Sequence, residues 1–379
     1  MAALLQSLFI AGFECSAHIR ADGVRLDLLK STRHAPLVRE DYAQVHACGM
    51  STARDGVRWH LIERRPHVYD WSSWLPMLHA ARETNMQVIW DLCHYGWPDH
   101  LDLWSGAFVD HFARYARAAA RLCKEATGAT PLFCPINEIS FWAWAGGDAA
   151  RINPAATGRG DELKRQLVRA SIAAIDAIRA VEPGARILLA EPLINVVGNP
   201  DIPGDCDAAE AYRLAQFQTH DMLSGRVAPE LGGREDYLDL VGANFYPHNQ
   251  WYLNGTTIPL GHYPHRSLRD LLAEVYARYA KPILIAETGA EGDARPYWLH
   301  HVCAEVQHAI KAGVPVEGIC LYPILDYHGW DNDRICRVGL LSMPDARGHR
   351  APCPAFLDEL RRQQALLARA APPLEQLAS

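Results

Sequence analysis

Leu132-Phe133-Cys134-Pro135-Ile136-Asn137-Glu138 and Pro282-Ile283-Leu284-Ile285-Ala286-Glu287-Thr288-Gly289 each run a short apolar segment directly into a carboxylate. Apolar runs of this length, bounded by Pro and Gly, read as buried strands. A carboxylate at the C-terminal end of such a strand is costly to hold unless something pairs with it or uses it. The same grammar recurs along the chain. Strands are expected at Leu8–Phe13, Gly56–Trp59, Gln87–Cys93, Leu132–Ile136, Arg186–Ala190, Leu238–Asn244, Pro282–Ala286 and Gly318–Tyr322.

Helical patterns separate these runs, at Trp74–Thr84, Phe108–Ala126, Asp161–Val181, Ala208–Leu223, Ser267–Tyr279 and Pro296–Ala312. In the second of them Phe112, Tyr115, Ala116 and Ala119 keep the spacing of one buried helix face. Pro183-Gly184 stops the third just before a strand. Strand–helix alternation through eight strands predicts a single (β/α)8 barrel. A doubly wound open sheet is the alternative. It needs a glycine-rich phosphate turn after the first strand, and Gly12-Phe13-Glu14-Cys15 does not supply one. The expected barrel covers residues 1–365, with 366–379 an Ala/Pro-rich tail that frays.

The chain has 379 residues, 49% hydrophobic and 21% charged, which are globular values. A formal net charge of −7 argues against a nucleic-acid partner. No polybasic run suggests a membrane surface, and no apolar stretch reaches the roughly 18 residues of a transmembrane helix. The apolar start lacks the basic residues of a signal peptide. Ten cysteines form no C-x-x-C pair and no zinc spacing. Cys93, Cys134 and Cys320 fall in expected strands, where the thiol packs as a small hydrophobe. Together these features predict a cytoplasmic protein.

In a barrel of this kind the strand C-termini form the active face. Read in order they present Glu14, Arg58, His94, Asn137 with Glu138, Glu191, Asn244 to Tyr246, Glu287, and Tyr322 with Asp326. Two carboxylates on one face are what cleavage of a glycosidic bond requires: one proton donor and one nucleophile or base. Glu138 suits the acid/base role and Glu287 the nucleophile. Arg58 and Tyr246 are the expected supports of Glu287, and Asn137 is placed to bond a sugar hydroxyl. Trp97, Trp142, Trp144, Trp298 and Trp330 are candidate apolar platforms for a sugar face, with core packing the competing use of each.

These motifs together resemble glycoside hydrolase family 1. Gly12-Phe13-Glu14-Cys15-Ser16-Ala17-His18 is similar to the family's opening G-x-x-T-S-A-Y-Q, and Arg58-Trp59 to its strand-two Arg. Asp91-Leu92-Cys93-His94-Tyr95-Gly96-Trp97-Pro98 resembles H-W-D-L-P, Asn137-Glu138 the N-E-P acid/base motif, and Asn244-Phe245-Tyr246 the N-Y-Y segment. Glu287-Thr288-Gly289 resembles T-E-N-G, and Tyr322 through Trp330 resembles W-S-L-L-D-N-F-E-W. The resemblance implies retaining β-glycoside hydrolysis on a small glycoside or oligosaccharide, with no metal and no organic cofactor.

His94, Asn244, Tyr322, Asp326, Trp330 and Glu14 are the expected substrate-binding residues. The family's glycone-binding Gln falls on Ile19 and its late Glu on Gly329. Glu14, Arg20, Asp326 and Asp331 are candidate replacements; Arg334 and Arg337 would suit an anionic sugar or phosphate, with solvated surface arginines the favoured reading. Three other readings compete. One is a transglycosylase with the same carboxylate pair, and another is a non-catalytic sugar-binding barrel. The third, a metal-dependent hydrolase, would want a His-x-His where His18 stands alone; His300-His301 falls on an outer helix.

Overall fold

In a computed structural model, which describes residues 4–370, eight parallel strands close into one barrel. They are β1 (Phe9–Gly12), β2 (Thr52–Gly56), β3 (Gln87–Asp91), β4 (Leu132–Cys134), β5 (Arg186–Pro192), β6 (Leu240–Asn244), β7 (Ile283–Thr288) and β8 (Val316–Leu321). Each pairs with its sequence neighbours, and β1 closes on β8 with Ile10 opposite Cys320. The open-sheet alternative is thereby excluded.

One principal helix follows each strand: α1 (His34–Ala47), α2 (Leu75–Glu83), α3 (Gly106–Thr127), α4 (Gly160–Arg179), α5 (Gln218–Leu223), α6 (Leu268–Tyr279), α7 (Ala294–Lys311) and α8 (Pro354–Ala370). The barrel interior is filled by Ile10, Ile89, Leu132, Leu188, Leu240, Leu284 and smaller residues including Cys134, Cys320 and Ala286. A larger apolar layer lies between strands and helices. Burying one such Leu or Ile stabilises the fold by roughly 1.5–3 kcal/mol.

Seven strands lie within two residues of their expected bounds, but the second does not. It spans Thr52–Gly56 rather than Gly56–Trp59. Thr-Ala-Arg-Asp-Gly carries no apolar signal, because its buried side chains are charged and paired. Successive side chains on a strand face opposite sides. Arg54 enters the barrel and bonds to Asp91, Asn137 and Glu287. Asp55 faces the helices, where Tyr42 Oη donates to it at 2.7 Å and His34 Nε2 lies 2.8 Å away. Gly56 is fixed by crowding: a Cβ there would sit 2.2 Å from that of Cys15.

The expected helix Ala208–Leu223 is broken by a 3-10 turn at Ala215–Phe217. Helices α1 and α8 were not expected. The boundary expected at residue 365 falls inside α8, and residues 371–379 of the expected tail lie outside the described residues. All ten cysteines are free thiols. No helix among the described residues is long and apolar enough to cross a membrane.

Candidate active site

A cleft of about 1120 Å³ opens at the C-terminal ends of the strands. Its wall includes Glu14, His94, Tyr95, Glu138, Trp144, Tyr246, Glu287, Tyr322 and Trp330. Two short strand pairs flank the mouth. Asn195–Val197 runs parallel to Gln250–Tyr252, and Tyr327–His328 runs antiparallel to Ile335–Cys336.

Glu138 follows β4 with a backbone φ of +44°, a left-handed conformation that L-residues adopt only when their surroundings enforce it. Its backbone N–H donates to Ala190 O at 3.0 Å. The carboxylate accepts from Tyr95 Oη and from Asn244 Nδ2, each at 2.8 Å. Both donors are neutral. Burial raises the pKa of Glu138, the two hydrogen bonds oppose that rise, and the charge of Glu191 adds to it.

Glu287 is the penultimate residue of β7, with 5% of its surface exposed. Arg54 Nη1 donates to Oε1 at 2.9 Å and Tyr246 Oη donates to Oε2 at 2.8 Å. Burial pushes this carboxyl up to about 7, Arg54 pulls it down, and Glu138 pushes it up. The two glutamates therefore titrate as a pair. Their first shared proton belongs on Glu138, since a cation contacts only Glu287.

Arg54 is fully buried, and its fork is used completely. Nε and Nη2 hold Asp91 at 2.9 and 2.7 Å, Nη2 reaches Asn137 Oδ1 at 2.6 Å, and Nη1 also donates to Ala286 O. Asn137 Nδ2 then donates to Tyr95 Oη at 3.0 Å. A continuous chain, Glu287–Arg54–Asn137–Tyr95–Glu138, thus joins the two carboxylates. His94 completes the floor between Asn137 and Asp91.

The expected supporting arginine is corrected by this geometry. Arg58 lies past β2 and outside the cleft, against Asp27 Oδ2 and Ser73 O, each at 3.2 Å. The four-residue slip in β2 placed the wrong arginine at the strand end. Arg54, Asp91 and Tyr95 were missed; the signal available for Arg54 was an Arg-Asp pair in a segment short enough to be a strand.

Tyr246, Asn137, His94, Tyr322, Trp330 and Glu14 are brought together, and Asn244 reaches the site through Glu138. Asp326 is not among them. Its Oδ1 accepts from Gly339 N at 2.8 Å, and it does not line the cleft. Arg20 pairs with Asp22, Asp331 is exposed, and Arg334 is paired with Glu291 at the rim. Among the candidate platforms Trp144 and Trp330 line the cleft. Trp142 and Trp298 are buried, donating to Asn153 O and Thr288 Oγ1, and Trp97 donates to Leu101 O. Glu191 sits behind Glu138 and accepts from Ser140 N at 3.0 Å.

Among the described residues, two groups of side chains come within metal-ligand reach of one another. Cys15, Asp91 and His94 lie under the cleft, but both Asp91 oxygens are held by Arg54. A cation there would face the guanidinium, so the set does not fit a metal. Glu63, His67 and His111 form the second. Glu63 accepts from Trp59 Nε1, the His67 N–H and His111 Nδ1, and so anchors a loop and α3.

The fold is shared with solved β-glycosidases. The β-glycosidase from the hyperthermophile Thermosphaera aggregans superposes with a TM-score of 0.76 over 98% of each chain, at 15% identity. A family 1 β-glucosidase from Thermotoga maritima gives 0.72 over 88% of this chain and 87% of its own, at 17% identity. The Thermotoga maritima β-glucosidase in complex with glucoimidazole gives 0.75 over 96% and 99%, at 15% identity. At such identities the likeness is one of fold. No protein-family model and no curated protein matches the sequence.

Proposed function

We propose that the protein is a retaining β-glycosidase acting on a small glycoside. The observation that carries this reading is the unequal pairing of two carboxylates in one cleft. Glu287 is held by a cation and a phenol, whereas Glu138 is held by neutral donors alone.

Glu287, ionised, attacks the anomeric carbon. Glu138 gives its proton to the glycosidic oxygen, the C–O bond to the aglycone breaks, and the aglycone leaves as the alcohol. The sugar is then esterified to Glu287. Glu138, now a carboxylate, takes a proton from water; the resulting oxygen attacks the anomeric carbon and releases Glu287. Two inversions give net retention. Arg54 keeps Glu287 ionised and is itself fixed by Asp91.

Trapping tests this directly. A 2-deoxy-2-fluoro-β-glycosyl fluoride should add one glycosyl group to the protein, and the labelled peptide should carry it on Glu287. Proton NMR of the first product should show the β-anomer. An α-anomer, or a label on another residue, would refute the assignment.

A further inference from the structure

Six carboxylates line the cleft: Glu14, Glu138, Asp148, Asp161, Glu287 and Glu291. Three of them, Asp148, Asp161 and Glu291, are exposed at the rim. Glu14 has no part in the mechanism above, yet it is only 6% exposed. It lies just beyond β1. Phe13 stacks on His34 outside the barrel at 3.9 Å, and the next residue turns inward.

Its surroundings are those of a ligand-facing group. Ser16 N donates to Oε1 at 3.0 Å, and among the described residues Oε2 has no protein donor. Glu14 lines the cleft, so Oε2 is left to bond whatever occupies it. Burial pushes it up to about 7, with His94 opposing, Ser16 opposing and Glu287 adding to the rise. The wall beside it is made of His94 and Tyr322, whose rings lie parallel at 6.3 Å, together with Tyr327 and Trp330. Arg54 is shared between Asp91 and Glu287, and among the described residues Glu14 has no salt-bridge partner.

We infer that Glu14 determines which sugar is accepted: Oε2 receives hydroxyl hydrogens of an uncharged glycone seated against Glu287, and its charge excludes sugars carrying a carboxylate or phosphate. This inference rests on the glycosidase reading. Arg334 offers an anionic sugar no free cation, because Glu291 neutralises it at the rim.

The test compares the parent protein with Glu14→Gln and Glu14→Ala on aryl β-glycosides at pH 8, above the value of about 7 to which burial raises Glu14, so that its charge is present. The panel holds neutral sugars, the β-glucuronide and the 6-phospho-β-glucoside. The parent should prefer a neutral glycone. Glu14→Ala should lower kcat/KM on it by about 100-fold, since a site built to bond a hydroxyl loses most when that bond is lost. The isosteric Glu14→Gln should retain more activity than Glu14→Ala. In both variants the neutral-to-anionic preference should fall at least about tenfold, because the repulsion is gone.

Product inhibition by the free neutral sugar should weaken in parallel, a readout independent of turnover. Thermal midpoints separate a folding defect, which lowers all substrates equally. An unchanged preference ratio, or a parent that favours the glucuronide or the 6-phosphoglucoside, overturns the role of Glu14 alone. A parent that turns over no β-glycoside and takes no covalent label overturns the glycosidase reading and Glu14 with it.

Discussion

Arg54 is the side chain on which the candidate site most depends. Its planar fork contacts Asp91, Asn137 and Glu287 simultaneously, a geometry lysine cannot reproduce. Arg54→Lys should therefore lower kcat/KM on an activated aryl β-glycoside by at least about 100-fold, the scale of losing preorganised charge at a reacting centre. Arg58→Lys should leave it within about threefold, since the Arg58 side chain bonds to Asp27 and Ser73, away from the cleft. Steady-state kinetics on the two variants decide the matter; the reverse ranking would return the role to Arg58. Glu138 makes a second demand at this scale. Glu138→Ala should slow substrates with basic leaving groups far more than those with acidic ones, because only the former need the proton. A flat dependence on leaving-group pKa would remove Glu138 from the acid role.

At the scale of the element, strand ends set the protonation of the pair. Tyr95, on the loop after β3, stabilises ionised Glu138 by hydrogen bonding, whereas Glu191, on β5, disfavours it by charge. The alkaline limb of kcat/KM reports loss of the Glu138 proton. Removing the Tyr95 hydroxyl raises the pKa of Glu138, so Tyr95→Phe should move that limb to higher pH. Glu191→Gln lowers the pKa and should move it to lower pH, while Gln keeps an oxygen for Ser140 N. Shifts in one common direction would mean that something other than Glu138 is being titrated. Elements also decided what the sequence could disclose. Glu138 and Glu287 were legible because each terminates an apolar run that can only be a buried strand. β2 was illegible because its large buried side chains are Arg54 and Asp55, which pay for burial through partners on β3, β7 and α1. Those partners are adjacent in space and distant in the chain, and no local pattern announces them. The same holds for Asp326, which stands in a site-like motif but is turned toward Gly339.

Over the whole molecule, His34 joins parts of the chain that meet only on folding. Its ring lies between Asp41 of α1 at 2.7 Å and Asp55 of β2 at 2.8 Å, and Arg350, just before α8, donates through Nη2 to Asp41 at 3.0 Å. Both ring nitrogens face carboxylates, the arrangement of an imidazolium. Burial favours the neutral ring, but Asp55 and Asp41 outweigh it and raise the pKa from 6.5 to about 9. The native state thus holds a proton that the unfolded chain releases above pH 6.5. Unfolding then loses protons, so stability falls as pH rises. The contribution of His34 is fully present below pH 6.5 and is lost between pH 6.5 and about 9. His18 and His60, pushed down to about 3 and 4 chiefly by burial, exert their pH dependence below that window and do not mask it. Breaking a buried ion pair by removing one partner costs about 3–5 kcal/mol. His34→Gln should therefore destabilise the protein strongly at pH 6 and progressively less toward pH 9, as the parent loses what the variant never had. Urea unfolding of both proteins at half-unit intervals from pH 6 to 9 measures the difference. A gap that stays constant across that range would show that His34 is neutral in the folded protein and that the tie between β2 and α1 does not depend on an imidazolium.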